Sequence, residues 1–169
     1  MRVFARSIGA SLGAIAMLPM LAIAEGARSE QAFGDWVFQC SAIAEGQTTC
    51  GLRQTLVSQT DNKPVAIFRL TWEKKAGELV LTAILPLGID IAPGVKGTVD
   101  DATQFDYYLQ TCVPRGCIAA AKIADPLLQS MISGGTFRTT FTLRGAKETT
   151  SFSGSLKGFS EGLKALGYE

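Results

Sequence analysis

The sequence contains no histidine, and this absence removes several kinds of chemistry. Histidine is the usual general base near neutral pH, the usual partner of a nucleophilic serine or cysteine, and the commonest metal ligand. Without it, a serine–lysine pair such as Ser155 with Lys157 is the remaining arrangement for an activated hydroxyl. We therefore expect a protein that is not an enzyme and that holds no cofactor.

An excess of charge of one sign is also lacking. The chain has 16 basic and 15 acidic residues, and Lys74-Lys75 is its only adjacent basic pair. Nucleic-acid binding requires a concentrated basic surface that neutralises phosphates. The sequence therefore predicts no nucleic-acid partner.

Long apolar runs are confined to the N-terminus. Two arginines precede the run from Ile8 to Leu21, and the small residues of Ala22-Ile23-Ala24 follow it. This order predicts a cleavable export signal over residues 1–24, with a single mature domain over 25–169. The run is shorter than the roughly 20 residues that cross a bilayer as a helix, so a retained membrane anchor is the weaker alternative. We expect a mature chain without a transmembrane segment, in the periplasm or at the outer envelope.

Cysteine is scarce, and its four copies fall into two close pairs. An exported chain with Cys40, Cys50, Cys112 and Cys117 permits three disulfide pairings. Local pairing, Cys40 with Cys50 and Cys112 with Cys117, is favoured because turn-forming residues such as those of Val113 to Gly116 separate each pair. Redox and zinc sites normally use tighter spacings, so we expect two structural disulfides and no metal.

Most of the mature chain alternates apolar and polar residues with the period of a β-strand. Short turns rich in glycine, proline and lysine separate the segments. The pattern predicts a β-sandwich of about eight or nine short strands with two short helices, and an up-and-down barrel is the alternative. The predicted strands are Asp35–Cys40, Cys50–Val57, Val65–Trp72, Glu78–Leu85, Val95–Val99, Phe105–Cys112, Cys117–Ile123, Phe137–Leu143 and Thr149–Leu156.

Capping residues mark the two helices. Asp125 followed by Pro126 predicts the start of the first helix, and Ser160 is expected to cap the second. Gly162 lies inside that second helix, where it weakens the helix by about 1 kcal/mol relative to alanine.

Acidic residues are the other candidates for chemistry. The region from Asp90 to Asp106 contains four aspartates whose carboxylates suit calcium binding or acid–base catalysis; they are Asp90, Asp100, Asp101 and Asp106. Their spacing fits no EF-hand loop, and aspartate is also a common turn residue. They support the alternative hypothesis of a periplasmic hydrolase or lyase.

Aromatic residues are candidates for a contact surface. Trp36, Trp72 and Phe105 are expected in the core. Tyr107 and Tyr108 are neighbours on a predicted strand, so they must point to opposite faces. The more exposed of the two is a candidate contact residue.

Several short motifs together resemble the invasion-associated locus B family. They are Gly34-Asp35-Trp36 with Cys40, Cys50 and Gln54, Leu85-Pro86-Leu87-Gly88, Pro93-Gly94-Val95, the Cys112–Cys117 segment and Ser155-Leu156-Lys157-Gly158-Phe159. The resemblance implies an exported alphaproteobacterial protein with an immunoglobulin-like β-sandwich. It implies no catalytic residues, and the family name comes from host-cell invasion by a pathogenic member.

Taken together, these features predict a non-catalytic, exported cell-envelope protein. It is expected to act as a binding or accessory module for a protein or another envelope component, whose identity the sequence does not indicate. The binding residues are likewise not identified by the sequence.

Overall fold

The computed structural model describes residues 30–42 and 47–168. The predicted export signal, residues 1–24, lies outside the described residues. Within the described part, neither helix has the length and apolar character required to cross a membrane.

Ten strands and two helices make up the described chain. All nine predicted strands are present, with ends that differ by no more than two residues. An additional strand precedes them, because a turn at Gly34 (φ +54°) folds residues 30–33 back onto the next strand. The strands are β1 Glu30–Phe33, β2 Trp36–Ala42, β3 Thr48–Val57, β4 Pro64–Glu73, β5 Glu78–Leu85, β6 Val95–Val99, β7 Thr103–Val113, β8 Gly116–Ile123, β9 Thr136–Thr142 and β10 Thr149–Ser155. The helices are α1 Leu127–Ser133 and α2 Phe159–Ala165.

All strands join in one antiparallel sheet, in the order β1-β2-β3-β4-β5-β8-β7-β6-β9-β10. The all-β class with two short helices is confirmed, although ten strands replace the expected eight or nine. The two separate sheets of an immunoglobulin-like sandwich are not confirmed, because β7 belongs to both halves. Thr103 to Tyr107 pair with β6, whereas Tyr108 to Val113 pair with β8 across a bulge.

The sheet curls so that its two ends enclose one core. The ring of Phe137 in β9 lies 4.8 Å from that of Phe68 in β4 and 6.0 Å from that of Trp36 in β2, measured between centroids. Four strands separate β9 from β4 in the sheet order, so these contacts require the sheet to fold back on itself. All three rings are fully buried. Among the described strands β1 and β10 remain the ends of the sheet, so the alternative barrel does not form.

A buried glutamine joins the two ends of the curled sheet. The side chain of Gln54 in β3 donates from Nε2 to the carbonyl of Ser155 in β10 (2.9 Å) and to that of Asp35 (3.3 Å). Its Oε1 accepts the backbone N–H of Ser155 at 2.8 Å. The indole Nε1 of Trp36 donates to the same Ser155 carbonyl at 2.9 Å. The Gln54 amide thus takes the place of a strand neighbour for the end of β10.

The first helix starts one residue later than the sequence predicts. Pro126, not Asp125, is the N-cap of α1, and no side chain caps the helix. The predicted Asp125 cap is therefore wrong. The helix is held instead by its apolar face, because Leu127, Leu128 and Met131 are buried in the core.

The second helix also starts differently. Its N-cap is Gly158 (φ +83°), and Ser160 lies within the first turn, so the predicted Ser160 cap is wrong. The Ser160 hydroxyl instead donates to the carbonyl of Ile132 in α1 at 3.4 Å. Gly162 is explained by packing, since a Cβ there would lie 2.6 Å from Cδ1 of the buried Leu52.

Replacing Gln54 by alanine is expected to lower the free energy of unfolding by about 3 kcal/mol, because a buried donor on Ser155 and an acceptor on Asp35 lose their partner. Chemical denaturation of the oxidised protein measures the change. Gln110→Ala is the matched control, since the exposed Gln110 bonds only the carbonyl of Tyr108, two residues away. The control should change stability by less than about 0.5 kcal/mol. Equal effects of the two variants would contradict the role of Gln54.

Candidate functional site

Asp100, one of the four candidate aspartates, braces a turn. Asp100 and Asp101 have φ of +45° and +57° in the connection between β6 and β7. The Asp100 carboxylate accepts the backbone N–H groups of Gly135 and Thr136, both at 2.9 Å, and the Thr136 hydroxyl at 3.1 Å. These bonds, that of Gly135 first, hold the pKa of Asp100 below its usual range. The carboxylate therefore joins the β6–β7 turn to the start of β9.

The other three aspartates have separate local partners. Asp101 pairs with Arg138 at 3.1 Å, and Asp106 pairs with Lys96 at 3.2 Å, both on exposed surface. Asp90 accepts the backbone N–H of the residue two positions on, within its own turn. The structure thus gives each candidate carboxylate a different set of contacts.

No metal centre emerges from the described residues, in which no three of the possible ligands His, Cys, Asp and Glu are grouped closely enough to hold an ion. The candidate pair Ser155 and Lys157 is linked through the Lys157 backbone N–H, which donates to the Ser155 hydroxyl at 3.1 Å. The contact is that of a turn, and the backbone of Ser155 is occupied by Gln54.

A Gly-x-Ser-x-Gly spacing, typical of hydrolase nucleophiles, occurs from Gly158 to Gly162 and has a packing explanation. A Cβ at Gly158 would clash with the carbonyl oxygen of Phe33, and Gly162 packs closely against Leu52. Its serine, Ser160, is helical and bonds α1. The absence of a side chain at both glycines therefore allows α2 to pack closely against the sheet.

Two disulfides each close one hairpin. Cys40 in β2 is bonded to Cys50 in β3, directly opposite in the strand register. Cys112 in β7 is bonded to Cys117 in β8 in the same way. The second bridge connects the buried Cys117 to a turn whose tip, Arg115, is exposed. The structure thus contains the local pairing that the sequence favours.

The aromatic side chains divide between the core and the surface. Trp36 is buried, whereas Trp72 and Phe105 are half-buried and pack against the core. Tyr107 faces inward, where its hydroxyl bonds that of Thr139 (3.2 Å) and burial raises its pKa. Tyr108 faces outward and is 70% exposed. The opposite orientations predicted for the two tyrosines are confirmed.

An unpredicted pair of arginines lies on the face of the sheet that points away from the core, here called the outer face. Arg53 in β3 and Arg69 in β4 stand directly opposite each other in the register. Neither arginine is in an ion pair with another described residue. Arg53 Nε and Arg69 Nε and Nη2 are out of contact with solvent and have no hydrogen-bond acceptor among the described residues. These guanidinium groups are thus half-buried without a counter-charge from the part of the chain that the structure describes.

Next to the arginine pair, the outer face carries a row of aliphatic residues on β4, β5 and β8. Ile67 in β4 is opposite Ile84 in β5, which is opposite Ile118 in β8. These three half-buried residues, the isoleucine row, run beside Arg69 across the outer face. A shallow cavity of about 300 Å³ lies where this face meets the open end of the curled sheet, and it is lined by Ile67, Ile84 and Arg115 and by Phe152, which packs against the core. The outer face therefore combines apolar side chains with unpaired cations.

Alternation in the sequence puts both arginines on the polar side of their strands, but it does not reveal that they meet. A shift of register between Leu56 and Val57, next to the β3–β4 connection, decides which residues of the two strands are opposite. The only sequence signal is the presence of one arginine near the middle of each of two consecutive strands.

These features define the class of the protein: a disulfide-bonded, all-β domain with an open, partly cationic sheet face. The Invasion associated locus B (IalB) protein family matches residues 36–167, and the chain belongs to this family. Among curated proteins, the Invasion protein B homologs of Brucella abortus strain 2308 and of Brucella abortus biovar 1 strain 9-941 are each 26% identical over 137 residues. The match covers 81% of this chain and 78% of each relative.

A solved structure shares the fold. The crystal structure of invasion associated protein B from Bartonella henselae superimposes with a TM-score of 0.70 at 23% identity. The superposition covers 82% of this chain and 94% of the Bartonella chain. Together with the family match, it supports the resemblance that the motifs indicate.

Asp100→Asn is expected to lower the melting temperature at pH 7, with a difference from wild type that shrinks in acid. The folded-state pKa of Asp100 lies below the ordinary 3.8, so its stabilising effect is present above pH 3.8 and is lost as pH falls through the lower, folded-state value. Thermal unfolding from pH 7 to pH 2 measures the difference. Asp106→Asn is the control, because an exposed ion pair contributes little. A difference that does not change with pH would contradict the assignment.

Proposed function

We propose that this chain is a non-catalytic binding or accessory module of the bacterial cell envelope. It is exported by a cleavable signal over residues 1–24 and acts in the periplasm or at the outer envelope. The names of the Brucella and Bartonella proteins associate those relatives with invasion. For this chain we propose contact with another protein or envelope component, which is the part of such a role that a binding surface can supply.

The observation that carries the proposal is the composition of the outer face. A sheet face that serves only solubility is usually polar, and its charged side chains are in contact with water. Here Arg53 and Arg69 lack counter-charges among the described residues, and the isoleucine row lies beside them. Tyr108, opposite Ala120 in β8, extends the same face with a largely exposed ring. Arginine, tyrosine and apolar side chains are typical of contact surfaces between proteins.

The alternative, a hydrolase or lyase that uses carboxylates around Asp90 to Asp106, is weaker. Acid–base catalysis of that kind needs two carboxyl groups directed at one substrate site. Asp100 is engaged by the start of β9, and Asp101 and Asp106 are in separate ion pairs. These local roles account for the carboxylates without a reaction.

Crosslinking in intact cells of the native bacterium tests the proposal. A tagged full-length chain is expressed, treated with an amine-reactive crosslinker, fractionated and analysed by mass spectrometry. We expect a defined crosslinked product in the envelope fraction, containing a chain that begins at Glu25 and carries no lipid. The triple variant Asp90→Asn, Asp101→Asn, Asp106→Asn should give the same product, since contact does not use these carboxylates.

Two outcomes would contradict the proposal. One is a chain that retains Met1 and stays in the cytoplasmic fraction. The other is an enzymatic turnover by the purified protein that the triple variant abolishes while its melting temperature is unchanged.

A further inference from the structure

The facing arginines on the outer face impose a cost that the fold itself does not require. Like charges directly opposite each other on neighbouring strands destabilise a sheet. Guanidinium N–H groups that are removed from water without an acceptor add to that cost. Three such nitrogens occur here, on Arg53 and Arg69. Costs of this kind are typical of positions that are kept for binding.

The sheet makes room for this arrangement. Gly51 in β3 is opposite Thr71 in β4, so it neighbours the position of Arg69. A Cβ at Gly51 would lie 2.9 Å from Arg69 Nε and 2.8 Å from the carbonyl oxygen of Leu70. Because Gly51 has no side chain, the Arg69 side chain can lie flat against the strand. Arg69 is therefore held in a defined position on the outer face.

The chemistry of the face selects its occupant. Arg53 Nη1 and Nη2 and Arg69 Nη1 are not among the nitrogens that are out of contact with solvent, so a carboxylate can approach them. The two terminal nitrogens of an arginine bind a carboxylate through two parallel hydrogen bonds, and a half-buried setting strengthens such a pair. The isoleucine row beside Arg69, bordered on its other side by the cavity with Arg115, offers apolar contact next to the cations. A partner with one carboxylate flanked by apolar side chains complements both features.

Two other occupants fit less well. A second copy of this chain, docked with its arginine pair over this one, would bring two arginine pairs together. The outer-face carboxylates Glu73 and Glu78 lie at the far end of the β4–β5 ladder, and Glu78 is already paired with Lys122 at 2.7 Å. A membrane surface is usually contacted by protruding basic and aromatic side chains, whereas these arginines lie flat and half-buried on a sheet.

We propose that the outer face of β3, β4, β5 and β8 is the docking surface for a protein partner that inserts an aspartate or glutamate carboxylate between Arg53 and Arg69 and packs apolar side chains along the isoleucine row. This inference rests on the proposed binding function and names the surface that performs it.

A pair of synthetic peptides tests the proposal on the purified, oxidised mature protein. The probe is acetyl-Val-Glu-Val-Glu-Val-amide, and its control is the same peptide with glutamine in place of glutamate. Backbone amide shifts in two-dimensional NMR report where each peptide binds. We expect saturable shifts in residues 51–55 and 67–71 with the glutamate peptide, and affinity at least about tenfold weaker with the glutamine peptide.

Two variants separate the arginine pair from general positive charge. Arg53→Gln/Arg69→Gln should abolish the preference for the glutamate peptide. Arg138→Gln, which removes a strand arginine that is paired with Asp101, should leave the preference intact. The melting temperature of the double variant is expected to equal or exceed that of the wild type, because the repulsion between the arginines is removed. A marked fall in melting temperature would show that the arginines are structural and would overturn the proposal.

Further outcomes would also overturn it. These are equal shifts with both peptides, no saturable shift with either, or a preference for glutamate that survives in the double variant.

Binding to vesicles of phosphatidylglycerol and phosphatidylcholine that the double variant loses would assign the face to a membrane. Sedimentation showing a dimer that the double variant dissolves would assign it to a second copy. If the peptides fail while the crosslinked product in cells persists, the docking surface is wrong and the binding function stands.

Discussion

The fold depends on one buried side chain, Gln54, which connects the two ends of a single sheet. A curled sheet leaves its end strands with unpaired backbone groups near the core, where they are costly. The Gln54 amide supplies both an acceptor and a donor to Ser155, and Trp36 bonds the same residue. With the ends held together, Phe137 can pack against Phe68 from the far side of the sheet. A single backbone bond, from the Asp35 N–H to the Lys157 carbonyl (3.0 Å), accompanies these side-chain bonds. Closure by buried side chains and this one bond, rather than by a strand ladder, allows ten strands to enclose one core.

The same closure decides which face of the sheet is free. Gln54 and Arg53 are consecutive residues of β3, so the inward direction of one fixes the outward direction of the other. The register with β4 then puts Arg53 opposite Arg69. The inner face packs in the core. The four candidate aspartates stabilise turns or form ion pairs, and the disulfides close hairpins. What the described chain leaves uncommitted is the outer face, and for this reason we assign binding to it.

The sequence predicts the local structure well and the long-range contacts poorly. Alternation of apolar and polar residues identifies nine strands, because each buries one face. It does not identify β1, because the four residues of β1, Glu-Gln-Ala-Phe, show no alternation. Ser160 has the chemistry of a helix cap, but the glycine before the helix already makes the turn and frees its hydroxyl for α1. Gln54 and the arginine pair could not be assigned from sequence, because their roles depend on residues about 100 positions away or on a bulge that sets the register.

Hydrogen exchange at the Ser155 amide tests the closure most directly. Ser155 belongs to an end strand, whose amides normally exchange through small local openings. If Gln54 holds this amide, it should exchange only through global unfolding, as slowly as the amide of Phe68 in the centre of the sheet. Exchange as fast as that of the exposed turn at Asp61 would contradict the account, because the sheet ends would then open independently of the core.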